Sequence, residues 1–218
     1  MTFEEALARV LPADIPHRER LIEKSAEHLR LIAAANEYMN LTRISTPYEA
    51  AVKHVLDSVL PWKHFKDVKR VLDAGTGAGF PGIPLSIVLP EVRFTLSESI
   101  QKKARFVEAS VDALDLANVQ VSAERAESLA LAQGPEIVAA RAVAPVERLI
   151  VLFRGALKKG SRLLLYKGPE IEGELGGMNR DHMRAEVLAR YELPDALGGR
   201  TLVSVSRIPG KRAATSPR

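Results

Sequence analysis

The sequence predicts an α/β fold: a mostly parallel seven-stranded sheet with helices on both faces, preceded by a helical extension. Three observations carry that prediction. From Arg70 onward, short apolar strings rich in β-formers alternate with stretches of helical period. A glycine-rich turn, Asp73-Ala-Gly-Thr-Gly-Ala-Gly-Phe-Pro-Gly82, stands where the first strand gives way to a helix. Residues 1–65, by contrast, read as helical. Strands that alternate with helices imply βαβ crossovers, and crossovers imply parallel pairing.

Taken in order, Leu21, Ile22, Ser25, Leu29 and Ile32 recur at helical spacing after Pro16, predicting a helix that ends near Asn40. Thr46-Pro47-Tyr48-Glu49 opens the next: Thr46 is the N-cap, Pro47 fits the first helical position, and Glu49 closes a capping box. Its apolar line Val52, Val55, Val59 stops at Pro61. Strands are expected at Arg70–Asp73, Arg93–Ser97, Val119–Ser122, Ile137–Ala140 and Arg162–Tyr166, and helices at Gly82–Leu89, Ile100–Leu114, Glu127–Ala132, Val146–Leu157 and within Glu170–Arg180. Two last strands, about Glu186–Leu193 and Thr201–Ile208, join through Gly198-Gly199 as a hairpin. The expected division is an extension at 1–65, the sheet domain at 66–208, and a basic, disordered tail at 209–218.

A chain of 218 residues suits one such domain with its extension. It has no cysteine, which removes disulfides, thiolate metal sites and cysteine nucleophiles together. No apolar stretch approaches the ~20 residues that span a bilayer, and Met1-Thr2-Phe3-Glu4-Glu5 lacks a signal-peptide core. A cytoplasmic protein is expected. The net charge of +4 is localised: Arg207–Arg218 holds four basic residues and no acid, and the rest of the chain balances at 27 of each sign. Such a tail suits a phosphate backbone or serves only solubility.

The glycine turn carries the chemistry. A strand, a tight turn and a helix start present free N–H groups to whatever lies in the turn. The dinucleotide fingerprint G-x-G-x-x-G would place its third glycine where Phe80 stands. Asp73 precedes the first glycine by two residues; its carboxylate would repel a pyrophosphate and attract the ammonium and sulfonium of S-adenosylmethionine. Asp73, Gly75, Gly77 and Gly79 are therefore cofactor-binding candidates, and the pattern looks like the first motif of class I S-adenosylmethionine-dependent methyltransferases, whose core is a Rossmann-like seven-stranded sheet. A nucleotide oxidoreductase is the alternative.

In open parallel sheets the ligand lies at the carboxyl ends of the strands. The second expected strand ends at Glu98, placed either to bond both ribose hydroxyls or to cap the helix from Ile100. Lys102 and Lys103 follow, as a phosphate-facing surface or a solvated face. The third runs into Ala123-Glu124-Arg125-Ala126-Glu127, where a methyltransferase lays the adenine edge against backbone N–H groups. The fourth delivers Arg141, which would orient the cofactor carboxylate, bond a guanine acceptor, or form a structural ion pair. No Asn/Asp-Pro-Pro-aromatic segment follows it and no cysteine exists, which disfavours exocyclic-amine and pyrimidine-C5 methylation. What remains is a nucleophile needing no deprotonation, of which a purine N7 is one, and the site then supplies orientation, exclusion of water and acceptors near the developing charge. Lys167, at the fifth strand end, could meet a phosphate, and Tyr166 could stack or pack. His54 and Asp57 belong to a polar network under the cleft or to catalysis. Asn40-Leu41-Thr42-Arg43 could approach RNA or cap a helix. The five histidines show no metal-ligand spacing.

Together Asn40-Leu41-Thr42, His54-Val-Leu-Asp-Ser58, Asp73 through Gly82 with Ile83-Pro84-Leu85, Ser99 with Lys102 and Lys103, Ala140-Arg141-Ala142 and Lys167-Gly168 resemble the bacterial small-subunit ribosomal RNA methyltransferase G family, also called glucose-inhibited division protein B. That resemblance implies methyl transfer from S-adenosylmethionine to N7 of a guanine in 16S rRNA near the decoding site, with S-adenosylhomocysteine as product and no metal. It implies cofactor contacts at Gly75, Phe80, Ala126, Glu127 and Arg141, with Glu98 at the ribose. Substrate contacts are expected at Asn40, Arg43, His54, Arg141 and Lys167, and the partner is 16S rRNA or the small subunit, with no membrane and no obligate protein. A small-molecule methyltransferase and a non-catalytic RNA-binding module with a retained nucleoside pocket are the alternatives.

Overall fold

The computed structural model describes residues 1–44, 46–175 and 182–208. Seven strands, β1 (Arg70–Ala74), β2 (Arg93–Ser97), β3 (Val119–Ser122), β4 (Ile137–Arg141), β5 (Arg162–Lys167), β6 (Met183–Glu192) and β7 (Gly199–Arg207), form one sheet in the order β3-β2-β1-β4-β5-β7-β6. The first five are parallel; β7 runs antiparallel to both β5 and β6. The expected final hairpin is present but wider: Gly199 already belongs to β7, and the chain turns through a 3₁₀ segment, Pro194–Ala196, closed by Leu193 N–H donating to Gly198 O at 3.0 Å.

Alternating strand residues enter two cores, as the period of two demands. Val71, Ile137, Ala139, Leu164 and Leu202 face one side; Leu72, Ala74, Val138, Ala140, Leu163, Leu165 and Val203 face the other. The first core is roofed by α1 (Phe3–Val10), α2 (Arg18–Met39), α3 (Pro47–Ala50), α4 (Asp57–Val59), α5 (Gly82–Val88) and α6 (Gln101–Ala113). The second is roofed by α7 (Ala126–Gln133), α8 (Val146–Leu152) and α9 (Arg154–Lys158), with the short α10 (Glu172–Leu175) against α8. The N-terminal helices thus share one hydrophobic core with the sheet: Leu7, Leu21, Val52, Val55 and Val59 are fully enclosed beside Ile83, Leu85 and Ile87. Each such side chain contributes on the order of 1.5–3 kcal/mol.

Three local expectations are corrected. The capping box at Thr46 is half formed: its hydroxyl accepts from Glu49 N–H at 3.3 Å, but the Glu49 carboxylate accepts from Lys53 at 2.9 Å and from the Thr46 hydroxyl at 3.3 Å rather than from the Thr46 N–H. A complete box caps α1 instead, Thr2 with Glu5. The helix expected at Val146–Leu157 divides at Phe153, whose side chain turns into the core. The segment that begins at Thr46 is interrupted by a π-helical turn, Ala51–Leu56, between α3 and α4. With that extra residue in the turn, Asp57 is buried along with the apolar line and does not sit on an outer face. Residues 176–180 of the Glu170–Arg180 helix expectation, and the basic tail at 209–218, lie outside the described residues. Among the described residues no helix is long and apolar enough to cross a membrane.

Candidate nucleoside and acceptor site

The strand order reverses between β1 and β4, and the crevice outside their carboxyl ends is where an open α/β sheet binds ligand. The glycine turn fills the β1 side of that crevice. Gly75, Gly77 and Gly79 all have positive φ, at 68°, 63° and 102°. Their surroundings separate their roles. A Cβ on Gly79 would come within 2.5 Å of Ile83 Cδ1, so that glycine lets the turn pack on α5. A Cβ on Gly77 would meet nothing within 4 Å, so there the bare main chain faces open space.

Asp73 holds the turn from beneath. Its Oδ2 accepts from Thr76 Oγ1 at 2.6 Å and from Gly82 N–H at 2.9 Å. The other oxygen, Oδ1, is buried without a hydrogen-bond partner. Burial pushes the Asp73 carboxyl up to about 6, against the pull of Thr76 and Gly82. At neutral pH it is an anion with one unsatisfied oxygen. Across the crevice, Glu98 is buried at the end of β2, where its Oε1 accepts from Ile100 N–H at 2.8 Å. That bond fixes the turn into α6, whose N-cap residue, Ile100, has no side-chain cap of its own. Ala126 and Glu127 form the first turn of α7, half-buried, in the place expected for an adenine edge.

On the far side, Phe80 is 5 % exposed and packed among three cation-capable groups. His54 stacks on it with ring centroids 4.6 Å apart at 9°, His28 lies at 5.0 Å, and the Arg141 guanidinium sits 5.4 Å from the ring centroid. Arg141, at the end of β4, donates to Lys53 O at 3.0 Å and to Asp57 Oδ2 at 3.3 Å. Asp57 also accepts from Arg200 Nε at 3.2 Å and from Tyr191 O–H at 3.5 Å. One buried carboxylate therefore ties the π-helical segment to β4, β6 and β7. Asp57 centres a polar network of Arg141, Arg200 and Tyr191, with Arg141 in an ion pair to it, whereas the His54 ring bonds Thr42 instead.

Beyond Arg141, Ala142 takes a left-handed φ of 55°, and Val143 crosses toward Gly75, coming within 3.2 Å of where a Cβ there would stand. A cleft of about 430 Å³ opens beside this turn, lined in part by Lys53, His54, Arg141, Lys167 and Arg200. Lys167 reaches its edge with its ammonium on Ala144 O at 2.8 Å and Glu174 at 2.9 Å. Tyr166 packs: its hydroxyl donates to Ser58 O at 2.9 Å and its ring is buried. Asn40 caps α2 with φ 51°, and the exposed Arg43 follows. Asn36 and the Thr42 backbone exchange two hydrogen bonds of 2.9 Å, and Thr42 Oγ1 meets His54 Nε2 at 3.0 Å. A larger groove of about 1080 Å³ lies at the amino ends of β1–β3, away from the switch point. Sequence reasoning missed Arg200, Tyr191 and His28: two come from the last hairpin and one from mid-α2, and only the fold brings them here. Among the described residues no group of three or more His, Asp or Glu is placed to hold a metal.

Burial holds both histidines against Phe80 in the neutral form, His28 down to about 4 and His54, with help from Arg141, down to about 3. The unfolded chain takes up these two protons near pH 6.5, whereas the folded protein refuses them, so stability falls as pH drops below about 6.5. Asp73 acts in the opposite sense, since its raised value stabilises the fold as pH falls below about 6. The three together remove about 4 kcal/mol between pH 7 and pH 4. Melting temperature measured over that range should drop, and His28→Phe should flatten the profile; a profile indifferent to that substitution would refute the assignment.

The family described as GidB, rRNA small subunit methyltransferase G, matches residues 21–199. A protein of Solibacter usitatus named ribosomal RNA small subunit methyltransferase G is 53% identical over 211 residues, covering 94% of this chain and all of its own length (100%). One of the same name from Carboxydothermus hydrogenoformans is 37% identical, covering 86% of this chain and 83% of its own. Among solved structures, the O-methyltransferase TomG of Streptomyces achromogenes, in complex with SAM, superposes with TM-score 0.56 at 19% identity, covering 83% of this chain and 90% of that one. Together with the strand order, that likeness gives the class I methyltransferase fold.

Proposed function

Since the chain belongs to the rRNA small subunit methyltransferase G family, we propose that it moves a methyl group from S-adenosylmethionine to N7 of a guanine in 16S rRNA near the decoding site. The transfer is a direct in-line displacement with no covalent intermediate. The observation that carries the proposal is the cradle at Gly77, bare main chain over open space at the switch point, with an unpartnered Asp73 oxygen buried beneath the same turn. Those features fit a cationic nucleoside better than a pyrophosphate, which Asp73 would repel.

When bound, S-adenosylmethionine supplies a methyl group activated by its sulfonium. The main chain at Gly75, Gly77 and Gly79 holds the methionine portion, and the Asp73 anion favours its positive charge. Glu98 serves the ribose with whichever lone pairs Ile100 N–H leaves free, and the first N–H groups of α7, at Ala126 and Glu127, meet the adenine edge. Arg141, fixed by Asp57 and Phe80, borders both the cofactor space and the cationic cleft. The guanine enters that cleft, with Arg43 and the Asn40 turn at its approach and Lys167 at its rim. The protein supplies orientation and exclusion of water, because an N7 lone pair needs no base. His54, held neutral, gives the site an aromatic wall with no added cation next to Arg141.

Purified protein incubated with labelled S-adenosylmethionine and either protein-free 16S rRNA, small subunits or whole ribosomes should transfer label to 16S rRNA. The modified strand should become cleavable by borohydride and aniline. Label confined to metabolites, or S-adenosylmethionine binding with no transfer to any of the three, overturns the proposal.

A further inference from the structure

Tyr38 is 67% exposed near the C-terminal end of α2, and its ring is not left loose. Lys102, in the first turn of α6, sets its ammonium 5.4 Å from the ring centroid while donating to Tyr38 O at 3.1 Å. The same lysine supplies a cation to the end of α2, whose last turn has no basic residue of its own. Capping alone would account for the lysine, but not for a large aromatic side chain held out in solvent, with one face against a cation and the ring otherwise open. Ile100, 54% exposed, stands at the N-cap of the same helix, with Lys103 and Arg105 in its first turns; Glu37, the buried Glu98 and Glu108 are the nearby acids in sequence.

We infer that Tyr38 and Lys102 form a stacking platform for an unpaired base of the RNA substrate, outside the acceptor cleft. The inference rests on the rRNA methyltransferase reading of the site and deepens it. An aromatic face with an adjacent ammonium suits a nucleobase and its phosphate in single-stranded RNA, where bases are free to stack. Location agrees. Lys102 opens the helix that follows the carboxyl end of β2, and the cleft lies at the ends of β4 and β5, so two to three strand spacings, about 10–14 Å, separate them across the sheet. A strand of RNA threading from Tyr38 past the glycine turn would bring a neighbouring base to Arg141. The ring's fixed pose lowers the ordering cost of such a contact.

The test is binding of protein-free 16S rRNA by filter retention at several salt concentrations, together with methyl-transfer kinetics. Tyr38→Ala should weaken RNA binding and raise KM for RNA by about 5- to 30-fold, with KM for S-adenosylmethionine unchanged. Tyr38→Trp should restore both. Lys102→Ala should lower the salt slope by about one. A Tyr38→Ala protein that binds and methylates RNA like the parent overturns the inference. So does one impaired only on assembled subunits, which would assign the ring to a ribosomal protein. If the parent binds RNA through Tyr38 but transfers no methyl group to it, the enzymatic reading fails and the platform stands.

Discussion

Gly77→Asn is expected to leave the fold standing and to weaken S-adenosylhomocysteine binding by about 100-fold, or ~2.8 kcal/mol. Asparagine tolerates the left-handed φ of 63° found there, at a cost of a few tenths to about 1 kcal/mol. The protein itself offers no obstacle, since a Cβ at this position meets nothing within 4 Å. Only a ligand lying on the main chain would object. The neighbouring substitution Gly79→Asn provides the contrast. It drives a side chain into Ile83 and His28 and should lower the melting temperature whether or not ligand is present. Calorimetric titration with thermal melts separates the two. Parental affinity in Gly77→Asn would place the nucleoside elsewhere and remove the basis of the proposed chemistry.

Asp57→Ala should produce the second large effect, on stability and turnover together. The carboxylate is 2% exposed and receives Arg141, Arg200 and the Tyr191 hydroxyl. Its removal leaves two guanidinium groups facing one another across the cleft floor. Breaking a buried pair costs roughly 3–5 kcal/mol, reduced here to about 2–4 because both arginines keep some solvent. For a chain of this length that corresponds to a fall in melting temperature of roughly 5–15 °C. Arg141 would keep only its bond to Lys53 O and be held less firmly over Phe80, so kcat for methyl transfer should fall more than KM for S-adenosylmethionine rises. Arg200→Ala, which leaves the Asp57–Arg141 contact in place, should be milder in both respects. Equal losses in the two variants would show that Arg141 is positioned by other groups.

Much of the architecture was legible because its signals are local. The glycine turn announces itself through residue type alone, since main chain in the left-handed region next to a ligand excludes side chains. Strands written in β-branched and aliphatic residues, separated by helical periods, leave few topologies open. Asp73 and Glu98 were legible as strand-end acids, and a role for Glu98 at the start of the next helix was open from its position, yet Asp73 also has structural partners that no spacing rule reveals, Thr76 and Gly82. His54 was expected near the cleft, but stacking against Phe80 and the neutral state that burial imposes follow from neighbours distant in sequence.

The chain order of apolar and glycine residues determined the parallel sheet, its glycine turn and the family to which the protein belongs. Tertiary structure alone decided which glycine faces empty space, that a π-helical turn rotates Asp57 inward, and that Arg200 from the last strand meets Arg141 from the fourth. The division has a physical cause. Backbone conformation is set by a residue and its near neighbours, whereas the charge state and bonding of a buried side chain are set by whatever the completed fold brings against it.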